Sequence, residues 1–118
     1  MRMIPKELLK GSLKSIVLKL LAENSRMYGY EITQKVTEFS QGKITLTYGA
    51  LYPILHKLEN EGAVITESEI VNNRNRIYYS LTEKGHSSAK ERIKELEEFI
   101  TTIKILLNPQ LGLDACVC

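Results

Sequence analysis

One stretch of the chain, residues 49–62, reads GALYPILHKLENEG and has the pattern of an amphipathic helix with a proline inside it. Leu51, Leu55 and Leu58 recur at i, i+4 and i+7, which places them on one stripe of a helix. Pro53 removes one backbone donor and crowds the carbonyl four residues back, so we expect a bend near the N-terminal end of this helix. Because a two-strand pattern follows directly, the stretch predicts the centre of a winged helix.

The residues before this stretch predict two more helices. Apolar residues recur with helical spacing through residues 5–22, and this pattern defines helix one. Turn-forming residues 24–27 interrupt the pattern, and helix two follows from Tyr28. Either Thr45 or Thr47 can cap the third helix. Helices two and three, with the connection between them, therefore predict a helix-turn-helix.

Beyond the third helix, the sequence predicts a β-hairpin and one long helix. Residues 64–71 are rich in β-branched side chains, residues 72–75 are turn formers, and residues 76–81 alternate between apolar and polar positions. Thr82 can cap a final helix that ends before Pro109. The fold class is therefore mainly α with a small β-wing: a winged helix-turn-helix plus a C-terminal dimerisation helix.

The final helix predicts self-association. Its apolar residues are spaced alternately by four and three, which is a heptad seam. The residues that we expect at a dimer interface are Ala89, Ile93, Leu96, Phe99, Ile100, Ile103 and Leu107. The alternative is that this helix folds back onto its own domain as core. We favour a homodimer because helix one already covers the centre of so small a domain.

Composition and charge narrow the class of protein. The 118 residues suffice for one domain, and 43% hydrophobic and 25% charged residues are typical of soluble globular proteins. No apolar run is long enough to cross a bilayer and no signal-like segment opens the chain, so we expect a cytoplasmic protein without a membrane role. The net charge is only +2, but residues 1–61 hold nine basic against six acidic side chains. The positive charge thus lies in the helix-turn-helix portion, where DNA would bind.

We find no pattern for catalysis or for a cofactor. The sequence lacks a nucleophile paired with a base, a phosphate-cradling glycine loop and a cluster of metal ligands. The histidines, His56 and His86, fall in different predicted elements, far from Cys116 and Cys118. We expect the two cysteines to belong to an exposed, reduced tail. The sequence therefore favours a binding protein over an enzyme.

The outer face of helix three is the first candidate for DNA binding. A recognition helix reads base edges near its N-terminal end, while donors beside it fix the phosphates. A glycine at position 49 would let the backbone approach the duplex closely. The candidate residues here are Thr47, Tyr48, Gly49, Tyr52, His56 and Lys57. The alternative is an ordinary solvated helix face, because these residue types are common on surfaces.

The hairpin turn is the second candidate. Asn73, Arg74 and Arg76 place two guanidinium groups beside amides, and such groups bind a phosphate or enter the minor groove. The alternative is that the asparagines form the turn and the arginines only keep an edge soluble. Tyr28, at the start of helix two, is a further candidate phosphate donor.

Three motifs in order resemble the PadR family of bacterial transcriptional regulators, and the resemblance extends over nearly all of residues 8–107. They read YGYEI at residues 28–32, GALYPILHKLE at residues 49–59 and RIYYSLTEKG at residues 76–85. The resemblance implies a winged helix-turn-helix with a C-terminal helix that builds a homodimer. It also implies a repressor that a small-molecule effector releases from DNA. The short C-terminal helix is similar to that of the smaller branch of the family.

These patterns together predict a domain organisation and a function. We expect a DNA-binding domain at residues 1–82, a dimerisation helix at residues 83–107 and a flexible tail at residues 108–118. The predicted function is a homodimeric, sequence-specific repressor of transcription whose partners are a palindromic operator, a second copy of the chain and an effector. One alternative is a winged-helix protein-interaction module without specific DNA binding. Another is a small-molecule sensor whose DNA binding is vestigial.

Overall fold

A computed structural model of the chain describes residues 3–111, in which five helices and three strands follow one another. In chain order the elements are α1 (Lys6–Leu9), α2 (Leu13–Glu23), β1 (Met27–Tyr28), α3 (Gly29–Phe39), α4 (Tyr48–Asn60), β2 (Val64–Val71), β3 (Arg74–Leu81) and α5 (Glu83–Leu107). This mainly helical fold with a small antiparallel sheet and a long C-terminal helix confirms the predicted winged helix-turn-helix, while the role of the C-terminal helix in dimerisation stays a prediction. None of the helices within residues 3–111 is long and apolar enough to span a membrane.

The predicted helix one is in fact two helices, so its continuity was wrong. Residues 10–12 form a turn in which the Ser12 N–H donates to the carbonyl oxygen of Leu9, at 2.8 Å. The interruption has a local cause, because glycine, here Gly11, costs about 1 kcal/mol in a helix relative to alanine and serine competes for backbone hydrogen bonds. Leu9 is buried while Leu8 stays exposed.

The sheet contains one strand that the sequence patterns missed. β1 pairs with β3, and β3 with β2, in the antiparallel order β1-β3-β2. A strand of two residues is too short to show a period of two, although Met27 is fully buried. The hairpin turn was placed too broadly: only Asn72 and Asn73 form it, both with positive φ (51° and 64°), and Arg74 already belongs to β3. Two residues in this conformation match the right-handed twist of a hairpin.

One hydrophobic core joins α2, α3, α4 and the sheet. Leu51, Leu55 and Leu58 on α4 are fully buried, as their spacing predicted. They pack with a cluster that includes Val17, Leu18, Leu21, Met27, Ile32 and Val64. The opposite face of α4 is thereby left to solvent.

α5 begins in this core and then leaves it. Thr82 caps the helix by accepting from the Gly85 N–H at 3.0 Å, and its own hydroxyl donates to the carbonyl oxygen of Gly62 at 2.7 Å. Ala89 is 1% exposed and belongs to the core, so its placement at a dimer interface is corrected. The helix ends at Leu107 with Asn108 as its cap, before Pro109 as predicted. Residues 109–111 form one helical turn, and Cys116 and Cys118 lie outside the described residues.

Candidate nucleic-acid interface

The first turn of α4 is held by a side-chain cap. The Thr47 hydroxyl accepts from the N–H of Ala50 at 3.3 Å, so of the two threonines that could cap this helix it is Thr47 that does. Such a cap satisfies one of the backbone donors that a helix leaves unpaired at its start. The helix then continues through Pro53 to Asn60. The bend expected at the proline stays a prediction.

The exposed face of α4 carries a pair of tyrosines at its N-terminal end. Tyr48 and Tyr52 are one turn apart, and their rings stack with centroids 5.7 Å apart and planes 23° from parallel. Their side chains are 45% and 41% exposed. His56 and Lys57 are exposed farther along the same helix, and Gly49 is exposed beside Tyr48. The structure therefore brings these predicted residues onto one surface, and their contact with DNA stays a prediction.

The two helices of the helix-turn-helix meet at Gly29, a position that sequence reasoning did not single out as a site residue. A β-carbon on Gly29 would lie 3.2 Å from the hydroxyl oxygen of Tyr52 and 3.7 Å from the ring of Tyr48. Glycine thus allows the start of α3 to lie directly against the tyrosine pair. Its presence in the YGYEI motif was the only signal in the sequence.

Tyr28 lies at the same junction, immediately before α3. Its backbone N–H donates to the Glu31 carboxylate at 3.1 Å, which fixes the entry of the chain into the helix. Its ring meets Tyr78 edge to face, with centroids 5.5 Å apart. The guanidinium of Arg76 lies 4.1 Å from the centre of the Tyr28 ring. Tyr28 and Arg76, which we predicted separately, are therefore neighbours.

The two wing arginines have different surroundings, although the sequence placed both at the hairpin tip. Arg74 is exposed next to the turn residue Asn73. Arg76 is half-buried and packs against Tyr28 instead, which corrects its placement at the tip. Arg74, Arg76 and Tyr78 share one face of β3, because alternate residues of a strand point to the same side. Tyr78 pairs with Tyr28, which places Arg76, two residues from Tyr78, beside the Tyr28 ring and leaves Arg74 farther out, next to the turn.

Sequence reasoning also missed Arg26, which bridges two carboxylates on β2. Its guanidinium contacts Glu67 at 2.5 Å and Glu69 at 2.6 Å and lies 3.9 Å from the centre of the Tyr78 ring. Hydrogen bonding to Glu69 and Glu67 raises the pKa of Arg26 above its ordinary value. Arg26 is a single arginine directly before β1, so no periodic pattern marks it, and its partners are more than forty residues away along the chain. The strand register that brings them together was visible only in the structure.

A helix-turn-helix that exposes tyrosine, histidine and lysine on its second helix, followed by a two-stranded wing, defines the class of winged-helix DNA-binding regulators. The chain belongs to the PadR-like family of transcriptional regulators, whose family description matches residues 17–91. The family is one of transcriptional regulators and not of enzymes. DNA binding follows from membership of this family. The membership therefore favours a DNA-binding regulator over the alternative of a winged-helix protein-interaction module.

Individual relatives agree with the family match. The chain is similar to transcriptional regulator Rv3488 of Mycobacterium tuberculosis, with 31% identity over 93 residues that cover 79% of this chain and 83% of the relative. Among solved structures, it is similar to a transcriptional regulator from Clostridium thermocellum (TM-score 0.75, 26% identity, covering 83% of this chain and 95% of that one). A PadR family transcriptional regulator from Eggerthella lenta has a TM-score of 0.74 at 26% identity, covering 86% of this chain and 87% of the other.

Proposed function

We propose that the protein is a homodimeric repressor of transcription in the cytoplasm, and that α5 builds the dimer. The observation that supports this proposal most strongly is an apolar stripe, which α5 exposes along the part that extends beyond the core. The exposed fractions of this stripe are 59% for Phe99, 45% for Ile100, 36% for Ile103 and 81% for Leu107. A regular stripe of large apolar side chains in water is costly, and a second helix of the same kind covers it. Ile93 and Leu96 are half-buried and continue the stripe toward the core.

A twofold dimer presents two copies of α4 and therefore fits a palindromic operator. In this proposal α4 lies in the major groove, where its exposed face positions the protein or reads base edges through Tyr48, Tyr52, His56 and Lys57. The start of α4, at Thr47 and Gly49, approaches the DNA backbone closely. Asn73 and Arg74 grip the flank at the wing tip. Tyr28 and Arg76 bind a phosphate where α3 begins. The division into a DNA-binding part at residues 1–82, a dimerisation helix at residues 83–107 and a flexible tail at residues 108–118 belongs to the same proposal.

A groove beside α5 supports release by a small-molecule effector. It has a volume of about 610 Å³ and runs between the first two helices and α5, with Leu8, Ser15, Arg92 and Phe99 in its lining. Because Phe99 and Ile103 belong both to this groove and to the proposed interface, a ligand there would change how the two protomers pack. A change in packing alters the separation of the two recognition helices and thereby the fit to the operator.

Transcription in vitro from the DNA upstream of the protein's own gene tests the proposal. We expect the purified protein to reduce the amount of transcript, and an unrelated promoter in the same reaction to be unaffected. An increase in the amount of transcript would contradict repression, although the protein would still be a regulator of transcription. The same loss from both promoters would mean that DNA is bound without sequence preference.

A further inference from the structure

Four side chains form a continuous stack across one face of the sheet. The guanidinium of Arg26 lies 3.9 Å from the centre of the Tyr78 ring, and Tyr78 meets the ring of Tyr28 edge to face at 5.5 Å. The guanidinium of Arg76 lies 4.1 Å from the centre of the Tyr28 ring. A cation above an aromatic ring is attracted to the negative face of the ring, and an edge-to-face arrangement is favourable for two aromatic rings. Each member therefore restricts the orientation of the next.

Arg26 anchors one end of this stack and is fully engaged there. Its two terminal nitrogens contact Glu67 and Glu69, which stand opposite Tyr78 and Arg76 in the β2–β3 register. A guanidinium that binds two carboxylates has its fork of donors occupied. The two carboxylates outnumber the one guanidinium that they bind, so Arg26 offers no net positive charge to a phosphate. Arg26 is thus poorly suited to contact DNA, whereas Arg76 has no carboxylate partner among the ion pairs of residues 3–111.

We infer that Arg26 is a positioning residue for DNA binding, which acts through Tyr78 to hold Tyr28 and Arg76 where they meet a phosphate beside the start of α3. This inference rests on the proposed phosphate contact of Tyr28 and Arg76. Holding the two side chains before binding removes part of the entropy that they would otherwise lose in the complex. Glu67 and Glu69 contribute to this positioning by holding Arg26 in place, and their negative charge does not itself attract DNA.

Replacement of Arg26 by lysine separates positioning from charge. Lysine keeps the positive charge but has no planar fork for two carboxylates and no flat surface for the Tyr78 ring. We expect Arg26→Lys and Arg26→Ala to weaken binding to the upstream duplex by a similar factor, on the order of fivefold in fluorescence anisotropy. Lys19→Ala is the matched control, because it removes a cation that is ion-paired with Glu23 on α2, and we expect it to stay within about twofold of wild type. Wild-type affinity for Arg26→Lys would overturn the inference.

A double-mutant cycle tests whether Arg26 acts through Arg76. If it does, the double variant Arg26→Ala, Arg76→Ala loses less affinity than the product of the two single losses, because the part of the Arg26 effect that runs through Arg76 is already gone and only the part carried by Tyr28 remains. If the two effects multiply, Arg26 contributes by itself and the inference is wrong. Wild-type affinity for Arg76→Ala would instead remove the phosphate contact on which the inference rests, and the failure would then lie in the proposed function.

The free protein supplies a measurement that does not depend on DNA. The Nε–H signal of Arg76 in a ¹⁵N-correlated NMR spectrum reports on the Tyr28 ring beneath it. We expect this signal to shift in both Arg26→Lys and Arg26→Ala and to keep its place in Lys19→Ala. An unmoved signal in both Arg26 variants would overturn the positional link whatever the DNA affinities are.

Discussion

A β-carbon built on Gly85 would lie 2.0 Å from the carbonyl oxygen of Ala63. The first turn of α5 thus sits directly on the loop that follows α4 and opens the wing. Thr82 strengthens the same joint, since its hydroxyl donates to the carbonyl oxygen of Gly62 and its backbone N–H donates to that of Ala63. The start of the proposed dimerisation helix is therefore fixed to the end of the helix that we propose reads DNA.

This contact predicts that Gly85→Ala is strongly destabilising. An alanine in place of glycine in a helix ordinarily stabilises by about 0.5–1 kcal/mol, but here the methyl group would overlap a backbone oxygen that cannot swing away. We expect the free energy of unfolding in urea to fall by about 3 kcal/mol or more, through a forced shift of α5. Gly11→Ala is the control, because nothing lies within 4 Å of the added carbon. Equal stability of the two variants would contradict the close packing at Ala63.

Gly49→Ala is expected to separate folding from DNA binding. The nearest atom to an added β-carbon is the Thr47 hydroxyl oxygen at 3.9 Å, so the protein has room for it. The stability should stay equal or rise by up to about 1 kcal/mol. If the helix start lies against the duplex, the methyl group meets DNA instead, and we expect a loss of roughly tenfold in affinity, which corresponds to about 1.4 kcal/mol. Unchanged affinity in an anisotropy titration would place Gly49 away from the DNA.

Charges in the apolar stripe of α5 are expected to produce monomers. In the double variant Ile100→Glu, Ile103→Glu, two carboxylates would be buried against their counterparts in the partner. Sedimentation should give a monomer, and operator binding should weaken by about a hundredfold because two linked half-site contacts are lost. Thr101→Glu, at an exposed position of the same helix, is the control and should remain dimeric. A double variant that sediments as a dimer would rule out this stripe as the interface.

The ion pair between Lys14 on α2 and Glu61 at the end of α4 predicts a pH-dependent stability. The Lys14 Nζ lies 2.6 Å from the Glu61 carboxylate and lowers the pKa of that carboxyl, chiefly by hydrogen bonding. Since the pKa is lower in the folded state, the contribution is complete above the unfolded-state pKa and is lost as the pH falls through the folded-state pKa. Lys14→Met should cost about 0.5–1 kcal/mol at pH 7 in urea unfolding and almost nothing in strong acid. A cost that stays constant from pH 7 to pH 3 would mean that the pair does not contribute.

Periodic features of the sequence predicted the fold, whereas its unpatterned features had to be found in the structure. The stripe Leu51, Leu55 and Leu58 was predictable because three apolar residues at helical spacing leave one buried face. The pairing of Met27 with Tyr79 was not, because two residues cannot show alternation. Gly11 was only a weak sign of a helix break, because the apolar spacing on both sides of it predicted one continuous helix.

The candidate site shows the same division. Tyr48, Tyr52 and His56 followed from the position of α4 in the helix-turn-helix. We placed Ala89 at the dimer interface, whereas it packs in the core of its own chain. A heptad spacing identifies a face of a helix but not the chain that covers it. The stack that begins at Arg26 joins side chains of β1 and β3 to carboxylates on β2, and only the register of the three strands brings them together.

Specific recognition of operator DNA is tested most directly by fluorescence anisotropy of the wild-type protein on a duplex from upstream of its own gene. The titration is made with an excess of a scrambled duplex and at two salt concentrations. We expect binding that resists the competitor and weakens steeply as salt rises, because phosphate contacts release counterions. Binding that the competitor abolishes, or no binding at either salt concentration, would contradict it.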